Sequence, residues 1–330
     1  MVFKKMLGAF GVGGPSVDTV LSQPGAQPGA SVTGQVNLVG GSSDAAIEHI
    51  TLGLVTRMEV EHGGGDQQAV GEFHRLTVSG PMRLGSGQHL SLPFQLILPW
   101  ETPITAVYGQ PLRGMVMGVR TEVSIARALD KGDLDPIQIH PLPVQQKILD
   151  AFAQIGFVFK SADLEYGQIA GVHQALPFYQ EIEFFPAQQY AHVINEVELT
   201  FVTSPRQVDV ILEFDKRGGL FSGGHDNFGR YTVSHNDAET TDWTSVVDGW
   251  VRQAVEHRQS APQAPGHGLG YGQPAYSHHG HYQQSHGHGH GHGGGSGMGG
   301  VAMGVVGGLA AGYVAGEIMD EVFEDDEGED

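Results

Sequence analysis

The stretch His49-Ile-Thr-Leu-Gly-Leu-Val-Thr-Arg-Met-Glu-Val60 decides the fold. Ile50, Leu52, Leu54, Met58 and Val60 alternate with His49, Thr51, Gly53, Arg57 and Glu59. Period-two alternation is the pattern of a strand that buries one face and wets the other, as antiparallel sheets commonly do. The pattern recurs outward from this stretch. Leu90, Leu92, Phe94, Leu96 and Leu98 share one face; so do Ile182 and Phe184, then Val197, Leu199 and Phe201, then Val208, Val210, Leu212 and Phe214. Shorter candidates are Ser16–Leu21, Ser31–Val39, Val70–Val78, Met115–Ile125 and Arg230–Ser234. Pro24-Gly25, Pro28-Gly29, Gly40-Gly41, Gly63-Gly64-Gly65, Gly218-Gly219 and Gly223-Gly224 punctuate the runs as turns. Many short strands at this spacing predict β-sandwiches, not a parallel sheet with crossover helices.

Two body segments read as helix. Val144, Ile148, Leu149, Phe152 and Ile155 form a helical stripe after Pro143 that stops at Gly156, and Val246, Val247, Trp250, Val251 and Ala254 form a second. The proline-rich run from Asp135 to Pro143 reads as a stiff connection. The expected division is therefore an N-terminal β-sandwich over 1–134 and a second, with flanking helices, over 135–258. A Gly/His-rich linker follows over 259–298, then a glycine-zipper helix and acidic terminus over 299–330.

Composition narrows the function. The 330 residues include 50 Gly and no Cys, which excludes disulfides, thiol catalysis and Cys-ligated metals. The formal charge is −20, and residues 1–258 hold 17 bases against 28 acids, a poor basis for contacting nucleic-acid phosphates. No enzyme signature survives inspection. Gly8, Gly11, Gly13 and Gly14 spell neither a dinucleotide fingerprint nor a phosphate loop. The body histidines are scattered without the spacing of a zinc-protease helix. His225-Asp226 reads as part of a long hairpin connection. The pairs Glu181/Glu183 and Glu196/Glu198 lie two apart on strands and share what reads as the wet face.

The start Phe3-Lys4-Lys5-Met6-Leu7, leading into Gly11-Val-Gly-Gly-Pro15 and Val17-Asp18-Thr19, resembles the opening of the bacterial sporulation-control family of the stage-zero M type. Leu92-Pro93-Phe94, Leu98-Pro99, Glu101-Thr102-Pro103-Ile104-Thr105 and Ala151-Phe-Ala-Gln-Ile-Gly156-Phe157 are similar to the same family. The likeness covers most of residues 1–258 and lies in segment order. It implies an arrestin-like fold of two tandem β-sandwiches and a role in sporulation control through protein contacts. It implies no enzymatic activity and carries over no catalytic residue.

The tail has its own signals. His278, His279, His281, His286, His288, His290 and His292 form a flexible chelate suited to Zn, Ni or Cu, whose binding there reads as adventitious and not as a cofactor. Gly300, Gly304, Gly308, Gly312 and Gly316 place glycine on one side of a helix, where a second backbone approaches closely, and predict self-association. Val2, Phe3, Met6, Leu7 and Phe10 fall on one helical face expected to dock on the first sandwich. The leading expectation is a cytoplasmic, non-enzymatic scaffold or adaptor in sporulation or cell development. Its partners are proteins, with homo-oligomerisation through the tail. The alternatives are a metal-handling protein using the His tract and a membrane-peripheral organiser held by the glycine ladder. The nine acids of residues 317–330, following that ladder, argue against an anionic lipid surface.

Overall fold

A computed structural model describes residues 13–62, 65–214 and 228–260. The chain runs through β1 (Ser16–Leu21), β2 (Gly25–Ala26), β3 (Ser31–Val39), β4 (Ala45–His62), β5 (Gly65–Ser79), β6 (Met82–Leu84), β7 (His89–Ile97), β8 (Ala106–Val107), β9 (Gln110–Pro111), β10 (Met117–Ile125), β11 (Lys131–Pro136) and β12 (Gln138–Ile139). Helix α1 (Pro143–Gln154) leads into β13 (Val158–Tyr166), β14 (Phe178–Phe185), β15 (Val197–Thr203), β16 (Gln207–Phe214) and β17 (Phe228–Ser234). A 3-10 turn (His235–Glu239) and α2 (Trp243–Ser260) follow. The fold is mostly β, with two α-helices among the described residues, and neither is long and apolar enough to cross a membrane. The helices stand where the apolar stripes predict them. The apolar N-terminal face from Val2 to Phe10, His225-Asp226, the His tract and the glycine ladder lie outside the described residues.

Two cores organise the strands. In the first, the antiparallel sheet β1-β3-β7 gives Val32, Val36, Leu38, Phe94 and Leu96, which pack with Ile50, Leu52 and Leu54 of β4 and Val119 and Val123 of β10. Strand β4 departs from simple alternation, because Thr51, Gly53 and Val55 on its other face are also buried. A Cβ on Gly53 would stand 2.2 Å from the Glu72 carboxylate. Glycine here makes room for Glu72, which pairs with Arg75 on its own strand and with Arg120 of β10 on the far side of β4.

In the second core, α1 and α2 lie against β13 to β17. Val144, Ile148 and Phe152 of α1 and Val247 and Val251 of α2 are buried there. Phe152 stacks on Phe184 at 5.0 Å and meets Phe157 edge-on at 5.2 Å. Gly156, at φ +98°, ends α1 in the left-handed region. Its N–H donates to Ala153 and that of Phe157 to Phe152, the paired bonds that close a helix C-terminus and satisfy its last carbonyls.

A single sheet, ordered β11-β10-β4-β13-β14-β15-β16-β17, runs through both cores. Its halves meet at one parallel bridge, Glu59 on β4 with Glu165 on β13. The segment Glu101–Thr105 reinforces the junction. The Gln180 amide grips Ile104 from both sides, accepting from its N–H at 2.9 Å and donating to its carbonyl at 2.7 Å. The Glu101 carboxylate accepts from the Ala175 and Leu176 N–H groups, each at 2.8 Å. Thr105 and Ile139 exchange two further bonds.

Candidate functional site: a carboxylate face on the second sheet

Alternation along β13 to β16 sends apolar side chains to the core and acids to the opposite face. Ala162, Leu164, Ile182, Phe184, Val197, Leu199, Val208, Val210 and Leu212 point inward. Asp163 and Glu165 of β13, Glu181 and Glu183 of β14, Glu196 just before β15 and Glu198 on it, and Asp209 and Glu213 of β16 occupy the intervening positions. Strand register brings these acids together. Asp163 stands opposite Glu181. Glu183 stands opposite Glu198, which stands opposite Glu213, so one row of acids crosses three strands. Glu59 joins beside Glu165 through the β4–β13 bridge. Like charges directly opposite on neighbouring strands repel and destabilise the pairing.

The face answers that repulsion unevenly. The β13–β14 register shifts between Phe159 and Ser161, a bulge that adds Lys160 to the strand. Phe159 keeps its packing on Phe184, while Lys160 pairs with Glu196 at 2.6 Å and Glu183 at 3.2 Å, and Ser161 donates to Glu183. Farther along, Thr232 donates to Asp209 at 2.6 Å, with the Arg230 guanidinium 3.8 Å from the same oxygen. The side chains of Asp163, Glu181 and Glu198 form no hydrogen bond or ion pair within the described residues. Asp163 Oδ1 is sealed from solvent without a hydrogen-bond partner.

Protonation follows from this geometry. Burial, then the charge of Glu198, then that of Asp163, pushes the Glu181 carboxyl up to about 10. Burial and the nearby charge of Glu213 push Glu198 up to about 8, and burial and Glu183 push Asp163 up to about 7. Burial likewise drives the Tyr179 hydroxyl upward, reinforced by Glu181. An ionised carboxylate taken from water without a partner is costly, and the group holds its proton instead.

The expectation that Glu181/Glu183 and Glu196/Glu198 each share a face turned from the core holds, but the face is only partly wet. Glu181 is 9% exposed and Glu213 3%. The segment between β13 and β14 folds over part of this face, where Ile169 and Val172 pack with Tyr179, Val202 and Ile211. Gln174 staples the segment by donating to the carbonyls of Gly167, Leu176 and Phe178. Asp163 and Glu165 are absent from the strand candidates of the sequence. The signal that finds them is the short alternation Ala162, Asp163, Leu164, Glu165, diluted by the bulge at Lys160.

Among the described residues, three potential metal ligands converge at two places, and both contain carboxylates alone. In Asp163, Glu165 and Glu181, and again in Glu183, Glu196 and Glu198, one oxygen from each acid lies within 4.8 Å of the others. Lys160 already serves the second group. Elsewhere, an open groove of about 550 Å³ lies against α2, lined by Tyr190, Thr244, Asp248 and Arg252 among others. Its Asp248 is held by Tyr190 and Arg252. Glu101–Thr105, prominent in the sequence resemblance, serves as the mortar between the two cores.

Comparison with known proteins places this architecture. The family model Spo0M, described as "SpoOM protein", matches residues 3–218. The sporulation-control protein spo0M of Bacillus subtilis (strain 168) is 32% identical over 217 residues, covering 65% of this chain and 81% of that protein. The crystal structure of Spo0M, sporulation control protein, from Bacillus subtilis aligns with a TM-score of 0.66 and 27% identity, covering 74% of this chain and 99% of that one. A mostly β body with two helices is common ground with that structure. With its matched segment spanning well over half the sequence, the chain belongs to the Spo0M family.

Proposed function

We propose that this protein is a non-enzymatic, arrestin-like scaffold or adaptor in the control of sporulation or cell development, working in the cytoplasm through protein contacts. Two β cores in tandem support the arrestin-like reading, and the name of the Bacillus subtilis relative supports the developmental one. The observation that carries the scaffold reading is the more open edge of the carboxylate face, where Glu183 and Glu196 stand around Lys160, together with the acidity of the body, 28 acids against 17 bases over residues 1–258. Acids gathered on one rigid sheet steer and register a partner with a basic surface, since complementary potentials raise encounter rates and exclude wrong partners. The same field disfavours nucleic acid and anionic lipid. In this reading the tail extends the scaffold, with the glycine ladder joining copies of the chain.

The experiment places a photo-crosslinking amino acid in the full-length protein at Glu196 on the carboxylate face, or at Gln35 on the β3 surface, in sporulating cells. The expected result is a protein adduct from the Glu196 position, weakened by raised salt in lysate, with little from Gln35. Adducts equal at both positions, or none at either, would remove the carboxylate face as the partner surface. Substrate turnover by the purified chain would end the non-enzymatic reading.

A further inference from the structure

We propose that the far end of the first β core, opposite the Glu59–Glu165 bridge, docks on an anionic lipid surface, which Leu129 and the apolar side chains of segment 2–10 enter. Strand register gathers the parts of this end. Strand β4 begins at Ala45, paired with Leu84, and its Ile47 stands opposite Ile125, the last residue of β10. The turns 40–44, 80–88 and 126–130 therefore lie together. The Ala126 N–H donates to Ala46, the Gly40 N–H to Gln88 and the Ser86 N–H to the Asp44 carboxylate. Gly13 is fastened to the same end, its carbonyl accepting from the Ser42 N–H at 2.8 Å. Segment 1–12 thus joins the body beside these turns, and its length reaches about 18 Å as a helix or about 40 Å extended.

Three features of this end point to lipid. Leu129 is 81% exposed, the most open large apolar side chain among the described residues. Its turn is built, not slack: Arg127 holds φ +60°, a backbone that disfavours residues other than glycine, and Asp130 clamps the turn by accepting from the Ile125 N–H at 3.1 Å. The second feature is charge. Over 1–15 and the three turns, Lys4, Lys5, Arg83 and Arg127 stand against two acids, Asp44 and Asp130, in a body that is otherwise acidic. Asp44 is held by Arg83, whereas the Arg127 side chain forms no ion pair or hydrogen bond among the described residues. The third is the pattern of segment 2–10, where Val2, Phe3, Met6, Leu7 and Phe10 share one helical face beside Lys4 and Lys5, as in segments that lie in a bilayer interface. Two weak anchors on one rigid end hold where either alone would not. The carboxylate face does not oppose this contact. Along β4 its nearest acid, Glu59, stands roughly 45 Å from Ala45, several times the ~8 Å screening length at physiological salt.

This inference does not depend on protein partners, and the test uses the full-length protein with lipid alone. Sucrose-loaded vesicles of phosphatidylcholine, with or without phosphatidylglycerol, are sedimented with it at low and at physiological salt. The expected result is sedimentation with the phosphatidylglycerol vesicles that weakens as salt rises, and little with phosphatidylcholine alone. Leu129→Asp and Phe3→Asp should each weaken binding about tenfold or more. Arg127→Gly should weaken it about fivefold, the effect of one charge near a lipid surface, yet leave the unfolding temperature equal or higher, because glycine suits the left-handed turn. Ile97 is 61% exposed at the opposite end of its sheet, and Ile97→Asp should change binding less than about twofold. The chain has no cysteine, so an environment-sensitive dye on the Leu129→Cys variant reports that position alone and should shift to the blue on phosphatidylglycerol vesicles. Binding unchanged by both Leu129→Asp and Phe3→Asp would assign the lipid contact elsewhere, such as to the glycine ladder, and overturn the proposal. So would a dye that stays in water while the protein sediments, or no sedimentation with either vesicle, a result that would point to a protein partner at Leu129.

Discussion

Replacing Glu181 by glutamine keeps the shape of the side chain and removes its titration. In the folded protein this carboxyl is pushed up to about 10, against 4.5 as the ordinary value. The groups facing it are Asp163 and Glu165 on β13, Glu198 on β15 and Glu213 on β16, with Tyr179 beside it on its own strand. Between those two values the native state binds a proton that the unfolded chain releases. Each pH unit in that window therefore removes up to ~1.4 kcal/mol of stability from the wild type. The glutamine variant has no such loss. Its stability advantage should grow by about 2–3 kcal/mol from pH 5.5 to pH 8, and the difference between the two proteins cancels the titration of the histidines. Urea unfolding at a series of pH values in chelator-containing buffer, followed by circular dichroism, measures it. A stability difference that stays constant with pH would refute the argument that burial and like charge hold the proton on Glu181. A difference that shrinks with rising pH would show a carboxylate stabilised by an opposite charge instead.

Other perturbations probe the elements that position the face. Gln180→Leu strands the buried N–H and carbonyl of Ile104 and should cost about 2–4 kcal/mol by urea unfolding. Phe152→Ala opens a cavity between α1 and the second sheet and should cost about 3–5 kcal/mol. A loss below about 1 kcal/mol would mean that α1 is not docked as described. Lys160→Met removes the cation between Glu183 and Glu196; because the site is partly open, the cost should be about 1–2 kcal/mol at pH 8 and smaller at pH 5.

Local pattern carries far along this chain. The run from Ile50 to Val60, the stripes beginning at Val144 and Val246, and the stop at Gly156 each follow from side-chain spacing within a dozen residues, and each is found where that spacing puts it. Such features are legible because hydrophobic periodicity and backbone handedness act between near neighbours. The family resemblance is legible too, although its Glu101–Thr105 motif gives no hint of joining two cores. The carboxylate face is half visible. That Glu181 and Glu183 share a face is a matter of period two, as it is for Glu196 and Glu198. That Asp163 opposes Glu181, that Glu59 reaches Glu165 from a distant part of the chain, and that a bulge delivers Lys160 to one set of acids are facts of strand partnering. Nothing in a strand's own sequence names its partner, because sheet hydrogen bonds are made by the backbone and are indifferent to side chains. The burial of Glu181 needs still more, since its side of the sheet turns away from both helices. Tertiary structure alone decided which acids lie in water and which compete for a proton or a cation, since that depends on the dielectric and charge contributed by residues distant in the chain.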